Sequence, residues 1–222
     1  MNTAAYGRGV FFVRDANYSA GDKYSPRDSS NHKYIFVVKV LTGELVRHDV
    51  QLSASTKTNC KCGVDDVNSP TIFVIYDDIH VRTYDQLIMI VTNICVDDLP
   101  KQWSPMSDDT TCQMVTLDVN GDEYSQVKKL FTATMPTPLQ QSTTCDILSF
   151  HWNHIVKIER IQNPALYTQY ATRKKGIGER NSSGLKNERK LFYGCHQDVK
   201  DKISHWGFNI LFAGNNGMPL LV

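Results

Sequence analysis

The stretch 34–42, Tyr-Ile-Phe-Val-Val-Lys-Val-Leu-Thr, constrains this chain more than any other. It is almost unbroken in β-branched, aromatic and aliphatic residues and lacks the polar alternation of a half-exposed strand. It therefore reads as a strand covered on both faces. Gly43 ends it. Two shorter runs of the same kind follow: 71–76 (Thr-Ile-Phe-Val-Ile-Tyr), turned by Asp77-Asp78, and 86–91 (Gln-Leu-Ile-Met-Ile-Val). Repeated apolar runs of this length predict a core built on a sheet, not a helical bundle.

The chain has 222 residues, 41% hydrophobic and 10% aromatic. That is enough for one large domain or two incomplete ones, and it excludes a wholly disordered chain. The 24 basic and 23 acidic residues leave a net charge of +1. This is not the balance of a polyelectrolyte binder, so no specific nucleic-acid partner is expected. The basic runs Arg173-Lys174-Lys175 and 186–190 read as a solvated helix face and a solvated loop. Of the six cysteines, Cys60 and Cys62 share a polar loop, while Cys95, Cys112, Cys145 and Cys195 are scattered. Without two matched Cys-x-x-Cys pairs no structural zinc is expected, and no other metal set is apparent. With no signal peptide and no long apolar run, no membrane association is expected; the location expected is cytoplasmic or nuclear.

Local patterns fill in the remaining elements. A glycine turn at Gly7 and Gly9 precedes a short strand, 9–13, and 16–24 has the composition of a short helix. The polar stretch 53–70 reads as a loop with little to bury, and 93–111, anchored by Trp103, as a connector. A strand is expected near 114–117. A helix over 123–135 puts Tyr124, Val127, Leu130 and Phe131 on one face before Pro136 stops it. Alternation over 155–161 predicts a half-buried strand. Asn163-Pro164 is a helix start, with Asn as N-cap and Pro at the first helical position, and the helix continues toward Lys175. A strand at 190–193 and a helix at 198–206 follow, the helix with Val199, Ile203 and Trp206 inward and Gly207 closing it.

Several strings together resemble one family. They are Tyr6-Gly7-Arg8-Gly9-Val10-Phe11-Phe12, the segment from Asn17 to Ser25 (Asn-Tyr-Ser-Ala-Gly-Asp-Lys-Tyr-Ser), and Lys39-Val40-Leu41-Thr42-Gly43. Later come Val156-Lys157-Ile158-Glu159-Arg160-Ile161-Gln162-Asn163-Pro164, Asn187-Glu188-Arg189-Lys190-Leu191-Phe192-Tyr193-Gly194, and Gly207-Phe208-Asn209 with Phe212-Ala213-Gly214. By these the chain resembles the poly(ADP-ribose) polymerase (PARP) family of diphtheria-toxin-like ADP-ribosyltransferases, nearest to its macrodomain-associated, mono-ADP-ribosylating branch. In that family the later strings normally come first. The resemblance implies an α+β fold with a split antiparallel sheet, flanking helices and halves in permuted order. Residues 1–91 would be the late half of the core, 92–111 a connector and leader (Leu99-Pro100-Lys101-Gln102-Trp103), and 112–222 the early half. The chain is then either a circular permutation or a slice across two tandem domains.

The resemblance also implies NAD as substrate, with cleavage of the bond between nicotinamide and ribose. Poly-chain-forming members use a His, a Tyr and a Glu for this. Those positions fall on Tyr193, Phe11 and Ile72. Tyr193 is too long to serve as a ribose-binding His, and as a plain strand residue it is simply a core aromatic. Phe11 keeps the ring but lacks the hydroxyl. Ile72 cannot orient a ribose hydroxyl or an acceptor chain. The nicotinamide contacts are retained: Gly194 for the carboxamide, Ser19 as its hydroxyl partner, and Tyr24 as the stacking ring, with Tyr193 at the ribose side. Two readings stay open. One is a mono-ADP-ribosyltransferase with impaired catalysis; the other is an inactive scaffold that binds a nicotinamide-like group or a protein partner. Cys195-His196 lacks an oriented third group for nucleophilic catalysis, and His151 and His154 read as ordinary histidines.

Overall fold

The structure, a computed structural model, describes residues 9–47, 61–76, 86–88, 103–107, 110–135, 155–180 and 188–208. In chain order the elements are β1 (Val10–Val13), α1 (Ala16–Ser19), β2 (Tyr34–Leu41), β3 (Glu44–Arg47), β4 (Lys61–Val64), β5 (Ile72–Ile75), β6 (Gln86–Ile88), β7 (Gln113–Thr116), α2 (Asp122–Ala133), β8 (Glu159–Gln162), α3 (Pro164–Arg180), β9 (Glu188–Cys195) and α4 (Gln197–Trp206). The fold is α+β. Seven strands form one sheet in the order β3-β4-β5-β1-β9-β2-β6, and β7 and β8 form a separate antiparallel pair.

The late strand β9 lies between the early strands β1 and β2. It is zipped to β2 along its whole length, from Tyr34↔Cys195 to Leu41↔Glu188. Its pairing with β1 is a single couple, Val13↔Phe192. The large sheet is therefore pinched at that point, not continuously laddered. It is also mixed, because β3 runs parallel to β4 while the other pairs are antiparallel.

β2 is buried along nearly its whole length, as its composition predicts. Alternation puts Phe192 and Tyr193 on opposite faces of the sheet. The ring of Phe131 in α2 meets Phe192 at 6.3 Å. On the other face Phe208, just beyond α4, meets Phe12, Phe36 and Tyr193 at 5.0, 5.9 and 4.9 Å between ring centroids. Each such buried ring contributes about 1.5–3 kcal/mol of transfer free energy. Within α2, Val127 and Phe131 are buried and Tyr124 and Leu130 pack partly against the core, the face expected from their spacing.

Five local expectations need correction. The stretch 53–70 is not all loop, because β4 lies in it with Cys62 and Val64 buried. α1 is one turn, not a helix to residue 24: the Tyr24 and Ser25 amides both donate to the Gly21 carbonyl at 2.9 Å, closing a turn instead. β8 starts at Glu159, not residue 155, and all four of its residues are buried. Its polar side chains are paired instead of solvated. Arg160 bonds Glu123 at 2.7 Å, and Gln162 exchanges bonds with the Ser104 backbone at 2.9 Å. Trp206 is 77% exposed, because the α4 register turns Ile203 inward instead. The basic runs are not wholly solvated, since Lys174 lies 2.7 Å from a half-buried Glu188, which Tyr170 also bonds.

Residues 103–107 are docked against the core at their start, with Trp103 meeting Tyr167 edge-on at 5.6 Å. The Leu99–Lys101 leader, the tail after Phe208, Gly7, Cys60, Cys95, Cys145, His151 and His154 lie outside the described residues.

Asn163 joins the two later helices. Its Oδ1 accepts from the Leu166 amide at 3.1 Å, capping α3. Its Nδ2 donates to the Ser204 and His205 carbonyls at 3.2 and 3.1 Å, closing the end of α4. Gly207, at φ 80°, then turns the chain so that Phe208 reaches the sheet.

Candidate functional site

The site takes shape where the C-terminal end of β9 meets α1. Gly194 pairs with Ile35 of β2. A Cβ on Gly194 would stand 2.2 Å from the Ser19 carbonyl oxygen and 3.3 Å from the Ser25 Cβ. The first distance is far inside contact, and the obstacle is backbone, so only glycine lets α1 settle on the strand here. Gly194 and Ser19 are thus brought together from opposite ends of the chain, and Ser19 is buried.

The turn carrying Tyr24 is tied down on both sides. The Ser25 hydroxyl donates to the Tyr34 carbonyl at 3.0 Å and accepts from the Tyr34 amide at 2.9 Å. Lys33 donates to the Ala20 carbonyl at 2.6 Å and also bonds Asp22. Burial pulls the Lys33 ammonium below its usual range, with Asp22 opposing; the same bond holds the Asp22 carboxyl down. Tyr34, the first residue of β2, donates to Asp28 Oδ2 at 2.7 Å. Burial and that carboxylate push its phenol up to about 12. Lys200 of α4 lies 5.5 Å over the Tyr34 ring.

Tyr24 itself is half-buried, and its ring stacks on that of Tyr18 at 4.9 Å and 21°. Burial, then the hydrogen bond with Tyr18, keeps its phenol protonated well above the usual range.

The three residues expected at the His, Tyr and Glu positions are not gathered side by side. Tyr193 is buried, opposite Phe36, in the cluster with Phe12 and Phe208. Phe12, not Phe11, is its ring neighbour from β1, at 5.8 Å. Phe11 is half-buried and opposite Val74, and Ile72 is opposite Val13. By alternation Phe11, Val13 and Ile72 share one face of the sheet and Phe12 the other.

The remaining chemical candidates are inert or separate. Cys195 is buried, and burial pushes its thiol well up, while its neighbour His196 is exposed and accepts from the Asp198 amide at 3.3 Å as the N-cap of α4. Burial also pushes the Cys62 thiol up to about 12. Among the described residues no group of three or more His, Cys, Asp or Glu could hold a metal. Among the same residues no helix is long and apolar enough to cross a membrane.

Sequence reasoning missed Tyr18, Lys33, Ser25 and Phe208 as parts of this neighbourhood. Tyr18 sits six residues from Tyr24, a spacing that no regular element brings face to face.

The chain is 33% identical over 121 residues to human (Homo sapiens) protein mono-ADP-ribosyltransferase PARP14, covering 54% of the chain. It is 35% identical over 83 residues, 35% of the chain, to PARP10 of Mus musculus. It is 30% identical over 120 residues, 54% of the chain, to human PARP12. Over about half of its length the chain is thus similar to mono-ADP-ribosyltransferases of the PARP family. It spans 6%, 9% and 15% of the length of those three relatives. No family model and no solved structure matches.

Proposed function

We infer that this PARP-family domain assembles one nicotinamide-binding cradle from Gly194, Ser19 and Tyr24, and that its transfer chemistry is impaired. The substrate on this reading is NAD, and the most it performs is transfer of a single ADP-ribosyl group to protein. The observation that carries the reading is the seat of Ser19 against Gly194. It unites the residue expected to present backbone groups to a carboxamide with the one expected to bond the same amide. The insertion of β9 between β1 and β2 supports one pocket built from both halves, as a permuted domain would have.

Impairment follows from the other positions. The reaction develops positive charge on the ribose, and rate comes from groups that bind that state better than the ground state. Tyr193 is packed among Phe12, Phe36 and Phe208, where it cannot serve as a ribose-binding imidazole. Phe11 has no hydroxyl, and Ile72 has no carboxylate to orient an acceptor. Loss of a ribose clamp and a hydroxyl together costs several kcal/mol of transition-state binding, on the order of 10³-fold in rate. Chain elongation is excluded on this reading, and an acidic side chain of the protein substrate has to supply what Ile72 lacks.

Calorimetry with a non-hydrolysable NAD analogue tests the proposal, using the wild-type chain and the double variant Tyr193→His, Phe11→Tyr. Saturable one-to-one binding of the analogue that tightens in the double variant, with self-modification appearing or rising when NAD itself is supplied, is the expected result. A folded wild-type monomer that binds no analogue, and gains nothing from the pair, overturns the cradle and leaves a protein-interaction scaffold.

A further inference from the structure

The Tyr18–Tyr24 pair is the feature of the site that the expected roles do not use. The rings are stacked at 4.9 Å, inclined by 21°, and the Tyr24 hydroxyl donates to the Tyr18 hydroxyl at 3.0 Å. The Lys23 ammonium lies 5.7 Å from the Tyr24 ring centre. Both ends of the pair hang from fixed backbone. Tyr18 belongs to α1, whose last residue abuts Gly194. Tyr24 sits in the turn closed on Gly21 and tied by Ser25 and Lys33. A tyrosine ring on a fixed backbone still turns about two side-chain bonds, and a ligand that stacks on it must stop that motion. Here the stack and the hydroxyl bond stop it beforehand. Tyr18 is 37% exposed, so the core does not account for its position.

We propose that Tyr18 is a positioning residue that holds the Tyr24 ring in the orientation a planar aromatic carboxamide requires. The proposal rests on the reading of Gly194, Ser19 and Tyr24 as a carboxamide cradle. Tyr18 touches Tyr24, not the ligand, and acts by sparing the ligand the cost of ordering that ring. The benefit goes to ligands that stack, so Tyr18 sets selectivity for flat rings over saturated ones.

The test compares benzamide with cyclohexanecarboxamide, which has the same amide on a saturated ring. Their affinities are measured by calorimetry on the wild-type chain, Tyr18→Ala and Tyr18→Phe. Tyr18→Ala is expected to weaken benzamide about fivefold, the worth of one aromatic pair, and to leave cyclohexanecarboxamide unchanged. Tyr18→Phe keeps the stack and restores most of the preference. If Tyr18→Ala weakens both ligands equally, the effect is structural and the proposal fails. It fails also if benzamide binds the Ala variant unchanged or more tightly, since Tyr18 is then a bystander or a competitor. A wild-type chain that binds neither ligand overturns the cradle itself, a result distinct from wild-type binding that Tyr18→Ala does not alter.

Discussion

Asn163 offers a direct measure of how the two later helices are held to each other. Its side chain is 7% exposed and makes three bonds, one to the start of α3 and two to the end of α4. Replacing it with Ala removes the cap, worth about 1 kcal/mol. It also removes two amide–carbonyl bonds worth about 1 kcal/mol each. The sum is about 3 kcal/mol, which for a chain of this size lowers Tm by roughly 6–12 °C. Asn163→Asp separates the two contributions. The carboxylate keeps the cap to Leu166 and sits well at a helix N-terminus. It has no donor for the Ser204 and His205 carbonyls, and it turns an oxygen toward theirs. Thermal unfolding followed by circular dichroism should therefore place Asn163→Asp closer to Asn163→Ala than to the wild type. A wild-type Tm for the Asp variant would refute the reasoning, because the clamp on α4 would then contribute nothing. An Ala variant within about 0.5 kcal/mol of wild type, the range of ordinary surface changes, would refute the cap as well.

Two further expectations concern titrating groups. Burial alone would raise the Asp65 pKa, but bonds from the Thr71 hydroxyl and from the Thr71 and Ile72 amides, at 2.9 and 3.0 Å, outweigh it and set the carboxyl below its ordinary 3.8. A folded pKa below the unfolded one stabilises the fold above the unfolded value and is lost as pH falls through the folded value. The urea-midpoint difference between wild type and Asp65→Asn should thus be largest at neutral pH and shrink in acid below 3.8; a difference independent of pH rules this out. Separately, the buried thiols of Cys62 and Cys195 should resist iodoacetamide in the native chain and react after denaturation, as read by peptide mapping. Native labelling of Cys62 at the rate of an open thiol would contradict its placement in β4.

What could be read from the sequence was what neighbours in the chain decide. β2 announced itself because seven consecutive residues share one environment, and Asn163-Pro164 because a cap is a local device. β4 escaped notice because its four residues become a strand only by lying between β3 and β5. The burial of β8 was illegible for a similar reason. Its polar side chains are satisfied by Ser104, 58 residues away, and by Glu123, 37 residues away. α1 stops short because Gly21 and Lys33 recruit the following backbone into a turn. At the site, the Gly194–Ser19 contact was accessible only through family resemblance, since no pattern of period two or 3.6 links residues so far apart. That resemblance carried Tyr24 but not Tyr18, whose partner lies across an irregular turn.

The position of β9 has a consequence for how the molecule comes to be made. During synthesis every other strand among the described residues leaves the ribosome before it. Until it arrives, β3-β4-β5-β1 and β2-β6 are two fragments with no ladder between them. The edges waiting to be joined are those of β1 and the nearly all-apolar β2, the kind of unpaired border that invites pairing with another chain. Closure must bring together couples from opposite ends of the sequence, which makes for high contact order and slow folding. A nascent chain of this protein therefore cannot close this sheet until β9 has emerged, and its yield in a cell depends on how well that interval is chaperoned.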